Sequence, residues 1–465
     1  MTRVVIIGGG PGGYEAALVA AQLGADVTVV DRDGLGGSAV LTDCVPSKTL
    51  IATAEVMTEV EDSADLGVRV MVDGRSALAA DAVEVDLAVV NARVKELARA
   101  QSADIERRLA NEGVTVLRGT GLLNSQQDVV ARVGSDERVL KADVILLATG
   151  AYPRVLPTAR PDGERILTWE QVYDLGELPE RLVVVGSGVT GAEFASAYGA
   201  LGSEVVLVSS RERVLPGEDA DAAALLEGVF VRRGMTVLSK SRADRVERAG
   251  DRLRVTLTDG RVEEGSHCLL AVGSVPDTAE LGLAAAGVDV DDAGFIVVDK
   301  VSRTTARGVY AAGDCTGVLM LASVAAMQGR IAMAHALGDA VHPLDLTHVS
   351  SNVFTAPEIA TVGWSQRAVD AGEIDGRIVT LELRGNARAK MQGVHDGFVK
   401  LIARPGTGIV IGGVVVGPRA SELIHPVALA VSQGMTVDQV ASSFTVYPSV
   451  SGSIAEAARR LHRRA

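Results

Sequence analysis

The chain has 465 residues, a formal net charge of −14, and 47% hydrophobic residues with 51 glycines. That length predicts about three domains at ~100–200 residues each, and the glycine-rich, hydrophobic composition is typical of an α/β protein. The negative charge argues against nucleic-acid binding, and no apolar run approaches the ~20 residues of a membrane helix, so we expect a cytoplasmic protein without membrane insertion.

A dinucleotide-binding pattern opens the chain. An apolar run at residues 4–7 leads into Gly8, Gly10 and Gly13, a helical pattern follows, and the next apolar run ends at Asp31. The glycines let the backbone approach a pyrophosphate at the helix N-terminus, and the acid can bind a ribose diol. The order of these features predicts a Rossmann-like fold.

A lone thiol follows the first motif, where Cys44 precedes Pro46 and Lys48. Pro46 suits the first turn of a helix, and a thiol at a helix N-terminus has a lowered pKa. Lys48 lies one helical turn beyond Cys44, so both can face one side. Cys268 and Cys315 are expected to be buried small residues, and three scattered cysteines favour neither a disulfide framework nor a zinc site.

The dinucleotide pattern returns later in the chain. An apolar run at residues 182–185 precedes Gly186, Gly188 and Gly191, and a helical pattern leads to a strand expected at residues 204–208. The repeated order of strand, glycine turn, helix and strand predicts a second Rossmann-like fold.

The second copy lacks the acid of the first. Asp31 stands 31 − 13 = 18 residues after Gly13, and the same step from Gly191 reaches Ser209 (191 + 18 = 209). Because a carboxylate there repels a 2′-phosphate whereas hydroxyls and arginines bind it, the second fold is predicted to accept NADPH, with NADH as the alternative. The residues expected at the phosphate are Ser209, Ser210, Arg211 and Arg213. The bland alternative is that the two arginines are solvated loop charges.

Three further segments complete a family pattern: residues 145–150, 269–277 and 308–314. With the two glycine motifs and residues 36–48, they resemble the flavin-dependent pyridine nucleotide-disulfide oxidoreductases, such as lipoamide dehydrogenase and glutathione reductase. The resemblance covers essentially the whole chain. It implies an α/β fold in which two Rossmann-like domains, one for FAD and one for NAD(P)H, are joined to a C-terminal α+β dimerisation domain.

The resemblance also implies domain borders and cofactor contacts. It implies an FAD domain at residues 1–150 and 271–342, an NAD(P) domain inserted at residues 151–270, and an interface domain at residues 343–465. The FAD contacts implied are Gly8, Gly10, Gly13, Asp31, Arg32, Gly37, Ser38, Cys44, Lys48, Gly121, Thr149, Gly150, Gly313, Asp314 and Ala322. The NAD(P)H contacts implied are Gly186, Gly188, Gly191, Ser209, Ser210, Arg211, Arg213 and Gly273.

Two departures from the family pattern remove its disulfide chemistry. The family has two cysteines separated by four residues, and here Ala39 stands at the first position and Cys44 at the second. The family tail has a His-Pro-x-x-x-Glu segment that completes the active site of the partner in a homodimer, and here Tyr447 and Gly452 replace the histidine and the glutamate. Tyrosine, with a reference pKa near ~10, is a poor proton shuttle at pH 7. We therefore expect a homodimer without disulfide reductase activity.

The retained residues indicate that electron input is intact. The resemblance places Cys44 under the flavin ring and Lys48 near N5, paired with Glu193 of the second Rossmann helix. A purely structural pair is the alternative for Lys48 and Glu193. Without a dithiol, a quinone can take electrons directly from the flavin, and Tyr447 could stack on it or hydrogen-bond its carbonyl. The leading hypothesis is therefore an FAD-dependent NAD(P)H:quinone oxidoreductase.

Three other functions stay open at this point. Cys44 could form a mixed disulfide with a small thiol or cycle through sulfenic acid, as an oxidase or peroxidase does. A second nicotinamide could be the acceptor, as in soluble transhydrogenases. The chain could also be a catalytically silent flavoprotein that acts as a binding partner.

Overall fold

The computed structural model describes residues 1–462, which form two compact units. Unit 1 comprises residues 1–49, 91–154 and 273–345, and unit 2 comprises residues 50–90, 155–272 and the chain from residue 346 onward. Among the described residues, no helix is both long and apolar enough to cross a membrane. The borders expected for the three domains stay a prediction.

The first part of the chain, residues 1–154, alternates strands and helices. Its strands are β1 (Arg3–Ile7), β2 (Asp26–Asp31), β3 (Val70–Val72), β4 (Arg75–Ala77), β5 (Thr115–Arg118), β6 (Thr120–Leu123), β7 (Asp128–Val133), β8 (Asp136–Lys141), β9 (Val144–Leu147) and β10 (Ala151–Pro153). Its helices are α1 (Pro11–Gln22), α2 (Gly37–Leu41), α3 (Cys44–Asp62) and α4 (Leu87–Asn111).

The middle of the chain repeats this alternation. Residues 155–272 form β11 (Ile166–Thr168), β12 (Arg181–Val185), α5 (Val189–Leu201), β13 (Glu204–Val208), α6 (Ala220–Arg232), β14 (Thr236–Leu238), β15 (Ala243–Ala249), β16 (Arg252–Leu257), β17 (Val262–Gly265) and β18 (His267–Leu270). Residues 273–345 form β19 (Ser274–Pro276), α7 (Leu283–Ala286), β20 (Val309–Ala311) and α8 (Ala322–Ala336).

The last part of the chain is an antiparallel sheet with short helices. Its strands are β21 (Ser350–Val353), β22 (Glu358–Gly363), β23 (Arg377–Glu382), β24 (Phe398–Ala403) and β25 (Val410–Gly417). Its helices are α9 (Gln366–Asp370), α10 (Ala387–Met391), α11 (Ala420–Leu423), α12 (His425–Ser432), α13 (Val437–Ser442) and α14 (Gly452–Leu461). The strand order is β21-β22-β25-β24-β23.

Two parallel sheets share the order of their four motif strands, and a fifth strand at the same edge comes last in sequence in the first sheet (β20) and first in the second (β11). The first has the order β20-β9-β1-β2-β5 and the second the order β11-β18-β12-β13-β14. In each, a three-stranded antiparallel meander lies in sequence between the third and fourth strands of the motif, β6-β7-β8 in the first and β15-β16-β17 in the second. These sheets confirm the predicted α/β class with two Rossmann-like folds. In the first sheet, β20 pairs with β9, so residues 309–311 complete a sheet that residues 3–7 began.

The central strand of the first parallel sheet, β1, is buried on both faces. Val4 and Ile6 of β1 pack in one apolar cluster with α1 and α8, and Val5 and Ile7 pack in a second cluster on the opposite face. A sheet covered on both faces needs continuous apolar strands rather than alternating ones, and residues 4–7 meet that need.

Helices α1 and α8 cross at two glycines. A Cβ added to Gly329 would lie 2.1 Å from the carbonyl oxygen of Gly12, and one added to Gly12 would lie 3.0 Å from the Ala312 Cβ. An ion pair between Glu15 and Arg330, 2.7 Å apart, joins the same two helices. The crossing therefore depends on the absence of a side chain at Gly329.

We expect Gly329→Ala to destabilise the protein although alanine is the better helix former. The added methyl group must displace backbone, and overpacking of this kind costs about 1–3 kcal/mol or more of the free energy of unfolding. Thermal unfolding followed by circular dichroism measures the loss. Gly176→Ala is the control, because nothing lies within 4 Å of its Cβ position. Equal melting temperatures for the two variants would contradict this account of the crossing.

Candidate active site

The three glycines of the first motif have two different roles. Gly8 has φ +102°, and a Cβ there would lie 2.2 Å from the Ala148 carbonyl oxygen, while a Cβ on Gly13 would lie 1.9 Å from the Gly8 oxygen. These two positions are closed by backbone. Gly10 has an extended backbone, and the nearest atoms to its Cβ position are 4.0 Å away. Its open side, at the N-terminus of α1, is the surface on which a pyrophosphate fits.

Asp31 joins the end of β2 to this glycine turn. Its buried carboxylate accepts hydrogen bonds from the backbone N–H groups of Gly9, at 2.7 Å, and Gly34, at 2.5 Å. A carboxylate has about four lone-pair sites, so these two bonds leave acceptor capacity for a ribose diol. The adjacent Arg32 is exposed and pairs with Asp33.

Residues 36–48, which we call the redox segment, pack directly onto the first glycine turn. The N–H of Gly36 donates to the Gly9 carbonyl oxygen at 2.8 Å, and a Cβ on Gly37 would lie 2.8 Å from the Gly10 Cα. Ser38 is exposed on the short helix α2, which also carries Ala39. Unit 1 thus brings Gly37 beside Gly10, with Ser38 next in the chain, an arrangement that fits an FAD site.

Residues 308–314, which follow the second fold in the chain, bring a second carboxyl group to unit 1. Asp314 follows Gly313, whose N–H donates to the buried Gln328 at 2.9 Å. Burial, and then the charge of Asp43, raises the pKa of Asp314 to about 6. A bare carboxylate is disfavoured there, so a ligand that hydrogen-bonds this carboxyl suits the position.

The remaining expected FAD contacts lie on the same unit. Thr149 donates through Oγ1 to the Asp277 carbonyl oxygen at 2.6 Å, and Gly150 has φ +74°. Gly121 is half-buried, with its Cβ position 3.2 Å from Ile7, and Ala322 is the first residue of α8. With the open face of Gly10, this set fits a flavin dinucleotide.

The second glycine motif repeats the geometry of the first. Gly186 has φ +111°, and a Cβ there would lie 2.1 Å from the Ala271 carbonyl oxygen, while a Cβ on Gly191 would lie 1.9 Å from the Gly186 oxygen. Nothing lies within 4 Å of the Cβ position of Gly188, which precedes α5. Gly273, after β18, is likewise open, with φ +92°.

Ser209 is hydrogen-bonded within the protein, and its expected role as a phosphate contact stays a prediction. Ser209 is fully buried, and its Oγ accepts a hydrogen bond from the Ser187 hydroxyl at 2.6 Å. The Ser209 hydroxyl itself points toward the carbonyl oxygens of Arg211, at 3.3 Å, and Arg213, at 3.4 Å. Ser209 therefore holds the loop that follows β13.

The other three residues expected at the phosphate remain available. Ser210 and Arg211 are exposed and Arg213 is half-buried. Within residues 1–462, neither Arg211 nor Arg213 has an ion-pair partner, so both guanidinium groups are open to an anionic ligand. Sequence reasoning missed Ser187, although the match of Ser187 to Gly9 between the two motifs was a usable signal.

Cys44 is the partly accessible thiol of the chain. It is the first residue of α3 and is half-buried, whereas Cys268 and Cys315 are fully buried. Burial raises the pKa of the Cys268 thiol and raises the pKa of Cys315 to about 11, so both are inert neutral groups at pH 7. The prediction that these two cysteines are buried small residues is confirmed.

Lys48 belongs to unit 1 and Glu193 to unit 2. Lys48 lies on α3, one turn beyond Cys44, and is half-buried. Glu193 is buried on α5, where its Oε1 accepts a hydrogen bond from the Phe354 N–H at 2.9 Å. Glu193 thus has a structural task in unit 2, and its pairing with Lys48 stays a prediction.

The C-terminal tail presents exposed apolar side chains. Phe444 and Tyr447 are 107% and 86% exposed and Val446 is 78% exposed, whereas Gly452 begins α14. Asn386 anchors the following turn by donating to the Ser449 carbonyl oxygen at 2.9 Å. In the described chain, Tyr447 therefore stands at the surface and is available to a partner.

The chain matches a known protein family along most of its length. Residues 2–329 match the family model described as pyridine nucleotide-disulphide oxidoreductase. Residues 349–458 match the dimerisation domain of the same family.

Several individual proteins are similar over nearly the whole chain. A protein of Mycobacterium tuberculosis strain H37Rv named NAD(P)H dehydrogenase (quinone) is 54% identical over 471 residues, covering 99% of this chain and 94% of its own. A dihydrolipoyl dehydrogenase of Chlamydia pneumoniae is 33% identical over 454 residues, covering 98% and 95%. The crystal structure of LpdA from Mycobacterium tuberculosis superposes with a TM-score of 0.94 at 53% identity and covers 100% of both chains.

Serine at each open glycine separates the two nucleotide sites. In Gly10→Ser and Gly188→Ser, the new side chain would fill the open surface and bind the helix N–H groups itself, while serine is a favoured N-cap that preserves the fold. We expect Gly10→Ser to lose flavin on purification. We expect Gly188→Ser to keep its flavin but to bind nicotinamide nucleotide at least about tenfold more weakly.

Flavin absorbance and nucleotide titration measure these two effects, and each variant is the control of the other. Loss of both ligands in both variants, with unchanged melting temperatures, would contradict the assignment of one nucleotide to each motif.

Proposed function

Because the chain belongs to the pyridine nucleotide-disulphide oxidoreductase family, we propose that it is an FAD-dependent NAD(P)H:quinone oxidoreductase without disulfide reductase activity. In the overall reaction, NAD(P)H, one proton and a quinone give NAD(P)⁺ and the quinol. The observation that carries the proposal is the combination of two intact glycine motifs with a single partly accessible thiol, Cys44, and with Ala39 at the position of the other cysteine. A relative named NAD(P)H dehydrogenase (quinone), at 54% identity, supports the acceptor class.

FAD is assigned to unit 1. Bound FAD supplies two-electron chemistry between a reduced nicotinamide and the quinone. The open face of Gly10 and the N-terminus of α1 would hold the diphosphate, and Asp31 would accept hydrogen bonds from the ribose hydroxyl groups. Asp314 would hydrogen-bond the ribityl chain or the diphosphate. The start of α3 would carry Cys44 and Lys48 beside the flavin ring.

NAD(P)H is assigned to the second fold. The open face of Gly188 would receive its diphosphate, and Arg211 and Arg213 would bind a 2′-phosphate. NADPH is therefore the proposed donor, and NADH is accepted because its ribose meets no carboxylate at the Ser209 position. Glu193 is proposed to orient the Lys48 ammonium, which would place a positive charge where electrons arrive.

The acceptor site is proposed to involve a second copy of the chain. The matched dimerisation domain supports a homodimer. The exposed Tyr447 would then lie against the acceptor, by stacking on the quinone or by hydrogen-bonding its carbonyl oxygen. Loss of a histidine and a glutamate from this tail leaves a less charged site, which suits a planar apolar molecule. The cytoplasmic location stays a prediction.

NADPH oxidation by the purified flavoprotein, with and without a naphthoquinone, tests the proposed function. We expect fast oxidation only with the quinone. Cys44→Ser should keep at least about half of this rate, because the thiol does not pass the electrons to the acceptor. The wild-type protein should not reduce lipoamide or glutathione disulfide.

Each rival function has its own result in the same assays. Loss of turnover in Cys44→Ser would indicate thiol chemistry, and fast reduction of an NAD⁺ analogue would indicate transhydrogenation. A flavin spectrum that NADPH does not change would indicate a silent flavoprotein.

Replacing both loop arginines tests the nucleotide preference. Hydrogen bonds to charged groups are worth about 1.5–3 kcal/mol, so the double variant Arg211→Gln and Arg213→Gln should raise the KM for NADPH roughly 10- to 100-fold. The KM for NADH should change less than about twofold. Arg245→Gln is the matched control, since it removes an exposed arginine of β15 elsewhere in the same fold. An equal effect on both nucleotides would contradict the assigned phosphate site.

A further inference from the structure

A lysine is buried at the centre of the C-terminal sheet. Lys400 lies in β24 with its side chain 1% exposed. Its Nζ donates to both carboxylate oxygens of Asp219, at 2.9 and 2.8 Å, to Asp221 Oδ2 at 2.7 Å and to Gln366 Oε1 at 2.7 Å. The Phe398 ring lies 5.5 Å from the same ammonium. Three parts of unit 2 thus meet at one charged atom.

Stability alone is a poor explanation for this cluster. Burying an ammonium and a carboxylate removes both ions from water at a large cost in free energy, and apolar replacements of buried ion pairs are often equally or more stable. Asp219 is itself 4% exposed on its side chain, so both charges of the pair carry this cost. What an ion pair with several directed hydrogen bonds provides is a fixed geometry.

Lys400 fixes the position of Asp219, which ends the loop between β13 and α6. Asp219 is the N-cap of α6, where its Oδ1 accepts from the N–H groups of Asp221, at 3.1 Å, and Ala222, at 3.2 Å. Residues 209–219, which we call the ribose loop, connect β13 to this cap. Lys400 therefore holds one end of the ribose loop against the C-terminal sheet.

The beginning and the middle of the ribose loop are held by the glycine motif. Ser187 donates to Ser209 at 2.6 Å, and the Leu215 N–H donates to the Ser187 carbonyl oxygen at 2.9 Å. Leu215 has φ +49°, a conformation that a branched side chain rarely adopts, so the loop path is tightly determined. Arg211 and Arg213 lie between Ser209 and Leu215, and residues 216–219 connect this stretch to the Lys400 anchor.

We propose that Lys400 is a positioning residue for the 2′-phosphate of NADPH: by fixing Asp219, it keeps the ribose loop in the path that presents Arg211 and Arg213. The inference rests on the proposed assignment of NADPH to the second fold. Lys400 touches no nucleotide in this account, and its effect on binding passes through the loop.

Binding of adenine nucleotide fragments to the purified flavoprotein tests the inference without turnover. Calorimetry gives the Kd of 2′,5′-ADP, which carries the phosphate, and of 5′-AMP, which lacks it. In Lys400→Met we expect the Kd of 2′,5′-ADP to rise about 5- to 20-fold, and the Kd of 5′-AMP to change less than about twofold. Flavin content and kcat at saturating NADPH should stay within about twofold of wild type.

A milder variant covers the case in which Lys400→Met does not fold. Gln366→Met removes one of the acceptors of Lys400 and leaves both ion pairs in place, so we expect a smaller rise, about two- to fivefold, for 2′,5′-ADP alone. Equal weakening of both fragments, or a lowered melting temperature with unchanged Kd values, would show a structural role only and overturn the inference.

The wild-type protein separates this inference from the proposed function. If wild type binds 2′,5′-ADP no more tightly than 5′-AMP, the NADPH assignment fails and the role of Lys400 fails with it. If wild type discriminates and Lys400→Met discriminates equally, only the role of Lys400 fails. The quinone acceptor is tested by neither result.

Discussion

Both nucleotide folds depend on the close crossing of a strand, a glycine turn and a helix. Cβ atoms at Gly8 and Gly186 would fall 2.2 and 2.1 Å from backbone oxygens of the neighbouring strand end, and those at Gly13 and Gly191 would fall 1.9 Å from the first glycine of each motif. No side chain fits at these distances. The crossing aims the free N–H groups of α1 and α5 at one spot beyond each sheet, where an anion fits each helix N-terminus.

Because the two crossings share one geometry, the difference between the two sites comes from the residue after the second strand. Asp31 accepts a hydrogen bond from the Gly9 N–H, and at the matching place Ser187 donates to Ser209. Either contact ties the strand end to the glycine turn. The Asp31 contact leaves a carboxylate charge where the ribose is expected, and the Ser187–Ser209 contact leaves no charge there. The same connection between strand end and glycine turn is therefore compatible with a ribose diol in one fold and a 2′-phosphate in the other.

The sequence predicted these features to different depths. The parallel sheets, the glycine turns and Asp31 follow from local spacing, because strand, turn and helix are contiguous in the chain. The direction of the Ser209 hydroxyl does not, since the pattern places a residue without orienting its side chain. The Lys400 cluster was not predicted at all, because its members Asp219, Gln366 and Lys400 come from distant segments that only the folded chain brings together.

The open glycines bear on whether the chain is a working enzyme or a silent flavoprotein. The fold explains Gly8 and Gly13, which a folded but inactive protein would also need. It does not explain Gly10 or Gly188, because both have an extended backbone and open space at the Cβ position. Both are N-cap residues, and serine or asparagine at an N-cap would give a more stable helix. A residue that the fold does not require, placed where a diphosphate must approach the backbone, is explained by the ligand. Two such sites, beside a redox segment that retains Cys44 but has Ala39 in place of the other thiol, favour a protein that still moves electrons and delivers them to something other than a disulfide.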